Sequence, residues 1–96
     1  MLTLGQVVYT ASITNDTFSN LYFRVFVLEC LLKHLDYDFG AICKEDHNAN
    51  MTAIQNGGRV FSMYLIPEEL KIDAEKIYII TEADRSHTTV LYPHEY

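Results

Sequence analysis

Ninety-six residues suffice for one hydrophobic core and not for two, and a hydrophobic share of 49% is ordinary for a globular chain. Thirteen acidic against seven basic side chains leave a net charge of −6, which opposes nonspecific attraction to phosphate backbones and to anionic membrane surfaces. Direct binding to nucleic acid or to a membrane is therefore not expected, whereas docking on the basic surface of another protein is compatible with this charge.

Four Gly, two Pro and no biased run or repeat give no sign of a linker, and a single domain over residues 1–96 is expected. Met1 is followed by neither a basic lead nor a continuous apolar run, so no secretory leader is read and a cytoplasmic location is expected. Phe18 to Leu35 is the most apolar stretch, but Arg24, Glu29, Lys33 and His34 interrupt it, which suits a buried helix better than a membrane span. Cys30 and Cys43 have no metal-ligand spacing and are expected as reduced core thiols.

In chain order, Gln6 to Ala11 carries the β-favouring run Val7-Val8-Tyr9-Thr10, and Thr14-Asn15-Asp16-Thr17 reads as a loop that breaks it. Thr17 or Ser19 can cap a following helix in which Leu21, Val25, Leu28, Leu32 and Leu35 recur at spacings of four and three. Glu29, Lys33 and Asp36 form its one polar stripe. Phe23, Phe26, Val27, Cys30 and Leu31 widen its apolar arc beyond what one sheet face covers, so a second helix, a subunit or a target protein must meet the rest.

Asp36 to Gly40 ends that helix. Cys43 to Gln55 reads as a second, more polar one, stopped by Asn56-Gly57-Gly58. Val60 to Ile66 alternates as a half-buried strand, with Phe61, Met63 and Leu65 on one side and Ser62 and Tyr64 on the other. After an acidic connection over 67–75, Lys76 to Thr81 and Thr88 to Tyr92 resume strand composition around a polar bend. The order β-α-α-β-β-β predicts an α+β fold of two layers, an antiparallel sheet with two helices on one face.

Polar residues are densest at Asp38 to Asn50 and at Thr81 to Thr89, and the reading leaves open whether these meet in one pocket. Helix capping and turn hydrogen bonds account for most of them. A metal-dependent nuclease or ribonuclease would use Asp38, Asp46, Glu82 and Asp84 on a cation, with His47 or His87 moving protons and Arg85 on phosphate, although the spacing matches no metal motif. His34 falls inside the apolar arc and is expected as a hydrogen-bonded core histidine. Cys30 lies one turn before it, but a nucleophile and base on an apolar face lack both solvent and an orienting group. Seven Tyr and five Phe are plentiful, and strand alternation allows several Tyr on the sheet face away from the helices, where they would anchor a protein contact.

Asp38-Phe39-Gly40, Glu45-Asp46, Asn50, Gly58-Arg59, Ser62-Met63-Tyr64, the run Ile79 to Ser86, Thr88-Thr89 and Pro93-His94-Glu95-Tyr96 together resemble a family of small bacterial proteins from plasmids, phages and other mobile elements. The resemblance covers about residues 34–96; members usually have Trp where Phe39 stands. It implies a mobile-element origin and a compact domain, and it carries no catalytic residue onto this chain.

Origin, size, charge and the lack of a catalytic motif together lead to the expectation of a non-enzymatic binding protein. It would inhibit a host nucleic-acid-processing or defence complex by occluding a basic surface. The expected contact residues are Asp36, Asp38, Glu45, Asp46, Glu68, Glu69, Tyr64, Tyr78, Glu82, Asp84 and Arg85, with no cofactor and no metal. A homodimer, or an accessory subunit assembling through the apolar helix, is the further alternative.

Overall fold

The four-and-three leucine spacing forms the longest helix, α2 over Leu21–Leu35, in a computed structural model that describes residues 1–96. Asn20 starts it, its side chain accepting from the Phe23 N–H at 3.0 Å, so the cap lies one residue beyond Ser19. Lys33 and His34 occupy the last turn. No helix of the chain is long and apolar enough to cross a membrane.

Around α2 stand β1 (Gln6–Tyr9), α1 (Ala11–Ser19), α3 (Lys44–Asn56), β2 (Val60–Leu65), β3 (Lys76–Thr81) and β4 (His87–Leu91), with short 3-10 turns at Glu68–Leu70 and Pro93–Glu95. The fold is α+β. Two features correct the sequence reading. The stretch read as a loop at Thr14–Thr17 is helical: Thr10 caps α1, and Ile13 and Thr17, one turn apart, bury one side of it against the core.

The second correction is the sheet, which is mixed and ordered β1-β4-β3-β2. β2, β3 and β4 form the expected antiparallel meander, but β1 pairs parallel with β4 from Gln6↔His87 to Tyr9↔Val90. A chain that leaves β1 through three helices and returns by the far edge reaches β4 last, travelling the same way as β1. α1 and α2 cover one sheet face, whereas α3 runs beside β2 instead of lying over the face.

The core lies under α2. Phe23, Val27, Cys30 and Leu31 pack with Ile13 on Tyr64, Ile77, Ile79 and Val90, each buried large aliphatic contributing about 1.5–3 kcal/mol. A smaller cluster of Leu2, Phe39, Ala53 and Val60 ties the N-terminal segment and α3 to the end of the sheet. The two faces of β2 divide as the alternation predicts, and the structure settles which is inside. Ser62 and Tyr64 face the helices, and Phe61, Met63 and Leu65 face the open side.

Candidate functional site

His34 has no solvent exposure and spans the interior between α2 and the sheet. Its Nδ1 lies 2.5 Å from Ser62 Oγ and its Nε2 2.9 Å from Thr81 Oγ1; Thr81 lies 2.7 Å from Thr88 Oγ1, and Thr88 donates to the Leu4 carbonyl at 2.7 Å. The terminal carbonyl fixes every proton. Thr88 gives its hydrogen to Leu4, so Thr81 must donate to Thr88, His34 Nε2–H to Thr81, and Ser62 to Nδ1. His34 is thus a neutral Nε2–H tautomer with both nitrogens used, and burial pushes its pKa down to about 4.

The same interior removes the nucleophile reading of Cys30, which is buried and whose thiol burial pushes up to about 12. Cys43, expected in the core, is exposed; both cysteines are free. Tyr64 is also internal, 5% exposed, its hydroxyl donating to the Asp38 carbonyl at 2.6 Å. It therefore offers a partner no surface.

Two other residues of the polar clusters are engaged with the backbone. The buried Asn50 amide donates to the Phe61 carbonyl at 2.7 Å and accepts from the Phe61 N–H at 3.0 Å, standing in for a neighbouring strand on the outer edge of β2. The next outward-facing residue, Met63, is closed by the 38–41 loop: Met63 N–H donates to Phe39 at 3.1 Å and Ala41 N–H donates to Met63 at 2.7 Å. Gly40 makes that approach possible. Its φ is +76°, and a side chain there would run into the Met63 carbonyl and the Tyr64 ring.

Arg85, half-buried at a left-handed φ of +61°, sends one guanidinium nitrogen to the carbonyls of Gly58 at 2.5 Å and Glu82 at 3.0 Å, and the other to Ala53 at 3.1 Å. It ties the β3–β4 turn to the end of α3. This bond network also separates the two polar clusters: the turn meets the C-terminal end of α3, whereas Asp46 lies in its first turn. Asp38, Asp46, Glu82 and Asp84 do not converge, and no three His, Cys, Asp or Glu side chains come close enough to hold a metal ion.

The remaining acids divide. Glu82 pairs with Arg59 at 3.4 Å, and Asp84 accepts from the Ser86 N–H at 3.0 Å, hydrogen bonds from Ser86 holding its carboxyl below the usual range. Asp36, Asp38, Glu45, Asp46, Glu68 and Glu69 are exposed and form no ion pair. The Phe39 ring stands 5.6 Å from the His47 ring, which brings the 36–38 loop against the first turn of α3. The 68–75 connection starts from the other end of the same strand, with Ile66 N–H donating to Glu75 at 2.8 Å, and Glu68, Asp73 and Glu75 line a hollow of about 540 Å³ there. Both acidic segments thus border β2.

On the open sheet face, Tyr78 stands edge-on to Phe61 with ring centres 4.8 Å apart and to Tyr96 at 6.1 Å. With Asp46, Asn50 and Arg59 they line a hollow of about 330 Å³. Tyr78 is where strand alternation expects it; Tyr92 is buried on the helix side. Phe61, Arg59 and Tyr96 were not among the expected contact residues, although the pairing of Phe61 with Asn50 through backbone bonds has no sequence signal. Comparison with protein-family models, with curated proteins and with solved structures gives no match.

Proposed function

We propose that this chain is a binding protein without chemistry of its own, which inhibits a nucleic-acid-processing or defence complex of a bacterial host by covering a basic surface. One observation carries the reading: two acidic segments, 36–46 and 68–75, border the same strand and none of their carboxylates is ion-paired. Eight acids there, Asp36, Asp38, Glu45, Asp46, Glu68, Glu69, Asp73 and Glu75, face three lysines, Lys44, Lys71 and Lys76. Unpaired surface carboxylates give up no existing ion pair on docking and steer a positively charged partner onto this side.

Five of the groups that could serve an enzyme are committed to the interior or to local bonds, and the remaining Asp38, Asp46, His47 and His87 form no cluster of three metal-ligating side chains. His34 and Cys30 are sealed, Arg85 is spent on backbone carbonyls, Glu82 is paired with Arg59, and Asp84 accepts from Ser86 within its own turn. The contact set therefore narrows to Asp36, Asp38, Glu45, Asp46, Glu68 and Glu69, with Tyr78 beside Asp46 as an aromatic anchor. The resemblance to mobile-element proteins supports the choice of a host complex as target. Affinity capture of the tagged chain from a bacterial lysate, read by mass spectrometry, tests it. A stoichiometric nuclease, helicase or effector subunit that elutes with salt is the expected result; an eluate without partners overturns the proposal.

A further inference from the structure

On the side of α2 facing away from the sheet, Leu21, Val25, Leu28 and Leu32 stand in water, Leu28 at 50% and Leu32 at 64% exposure. α1 covers only one flank of the helix, where Arg24 Nε donates to the Thr17 carbonyl at 3.0 Å, and it adds Phe18, 83% exposed, to the same apolar surface. The broad apolar arc of the sequence is thus half used. Its unused half follows the 4-3-4 spacing of a helix that packs along another helix.

We infer that a second copy of this chain covers this leucine seam, so that the protein is a two-fold dimer built on α2 against α2. Three observations select a second copy over other occupants. The seam is palindromic: with the helices antiparallel and the axis between residues 26 and 27, Leu21 meets Leu32 and Val25 meets Leu28 of the second copy, so one patch complements itself as a two-fold interface requires. Its size fits. Phe18, Leu21, Tyr22, Val25, Leu28 and Leu32 leave on the order of 700 Å² per chain in water, near the roughly 800 Å² per partner of a standard interface.

The third observation comes from the sheet edges. β2 is closed at Phe61 and Met63 by Asn50 and by the 38–41 loop, whereas β1, the opposite edge, pairs only with β4. In that parallel ladder Gln6 and Thr10 N–H point to β4, so the backbone groups of Val7 and Tyr9 point outward. Tyr9 lies with Phe18, Arg24 and Leu28 around one hollow of about 450 Å³, which makes the seam and the open edge one continuous surface. An apolar patch of this extent beside an unblocked strand edge invites association, and a closed two-fold pair removes it from water without leading to fibres.

Light scattering coupled to size exclusion tests this from micromolar to hundred-micromolar concentration. A mass of twice 11.1 kDa is expected for the native chain, and 11.1 kDa for Leu28→Glu/Leu32→Glu with an unchanged circular dichroism spectrum. Because both positions are exposed, the double variant is expected to fold; in case it does not, Leu28→Cys in a Cys43→Ser background should cross-link to a dimer under mild oxidation while Asn48→Cys does not. A native mass of 11.1 kDa throughout, or a folded double variant that remains dimeric, overturns the inference. Neither result depends on whether a host complex is bound, since the acidic segments border β2 at the other edge of the sheet.

Discussion

Nδ1 of His34 lies 2.5 Å from Oγ of Ser62, and this pair, 28 residues apart in the chain, holds α2 to the edge strand β2. It begins a relay of hydroxyls that runs through Thr81 and Thr88 to the Leu4 carbonyl, every member buried apart from the half-buried Leu4. Such a network stabilises only when complete. Ser62→Ala leaves Nδ1 without a donor and is expected to cost about 1–3 kcal/mol in urea unfolding. His34→Ala, which also opens a cavity and strands two hydroxyls, is expected to cost about 3 kcal/mol or more.

The same histidine gives a pH dependence of definite sign. Burial pushes its pKa in the folded chain down to about 4 from the ordinary histidine value of 6.5, so between these values the unfolded chain binds a proton that the folded chain excludes. Stability is full above about pH 6.5 and falls as pH drops towards 4, by about 3 kcal/mol from this group. Urea titrations at several pH values should show this slope in the native chain and its loss in His34→Gln. Equal slopes in both would assign the acid sensitivity to carboxylates.

Asn50 protects one specific amide. In Asn50→Ala the Phe61 N–H should lose hydrogen-exchange protection while the Met63 N–H, held by Phe39, keeps it. The variant should lose about 1–3 kcal/mol and aggregate more readily through the opened edge. Loss of protection at both amides would mean that the 38–41 loop depends on Asn50 for its position.

Arg85 is expected to act through geometry rather than charge. Arg85→Ala should destabilise by about 1–3 kcal/mol, because carbonyls of Ala53, Gly58 and Glu82 lose a charged donor. Arg85→Lys should recover less than half of this, since one ammonium cannot reach both α3 and the turn as a guanidinium fork does. Full recovery by Lys, measured by thermal melts, would reduce Arg85 to a point charge.

The elements with a strong period were legible in the sequence: α2 from its leucines, α3 from its glycine stop, and the β2-β3-β4 meander from strand composition and a polar bend. α1 was hidden because Thr14, Asn15, Asp16 and Thr17 have low helix propensity, and only burial of Ile13 and Thr17 overrides it. The Thr10 cap three residues ahead of Ile13 was the signal available. Alternation along β2 revealed two faces but not which was inside, because Ser62 is buried for its bond to His34, a contact with a distant helix. The parallel pairing of β1 is likewise set by the path of the whole chain.

Of the candidate site, exposure of the acids at 36–46 and 68–69 followed from charge, whereas the commitment of Tyr64, Glu82, Asp84 and Arg85 to internal bonds did not. Each of those partners is a backbone atom or a side chain brought near by folding. No local spacing encodes them, apart from the Asp84–Ser86 bond two residues apart, which is a turn hydrogen bond of the kind expected for this cluster.

The most direct measurement for the proposed function is displacement of a fluorescently labelled nucleic acid from the complex captured out of a bacterial lysate. The native chain should release the nucleic acid at stoichiometric concentration. The charge-reversed variant Asp36→Lys/Asp38→Lys/Glu45→Lys/Asp46→Lys, folded by circular dichroism, should release none. Capture of the complex with its nucleic acid still bound, or equal displacement by the charge-reversed variant, would contradict occlusion of a basic surface by the acidic side of β2.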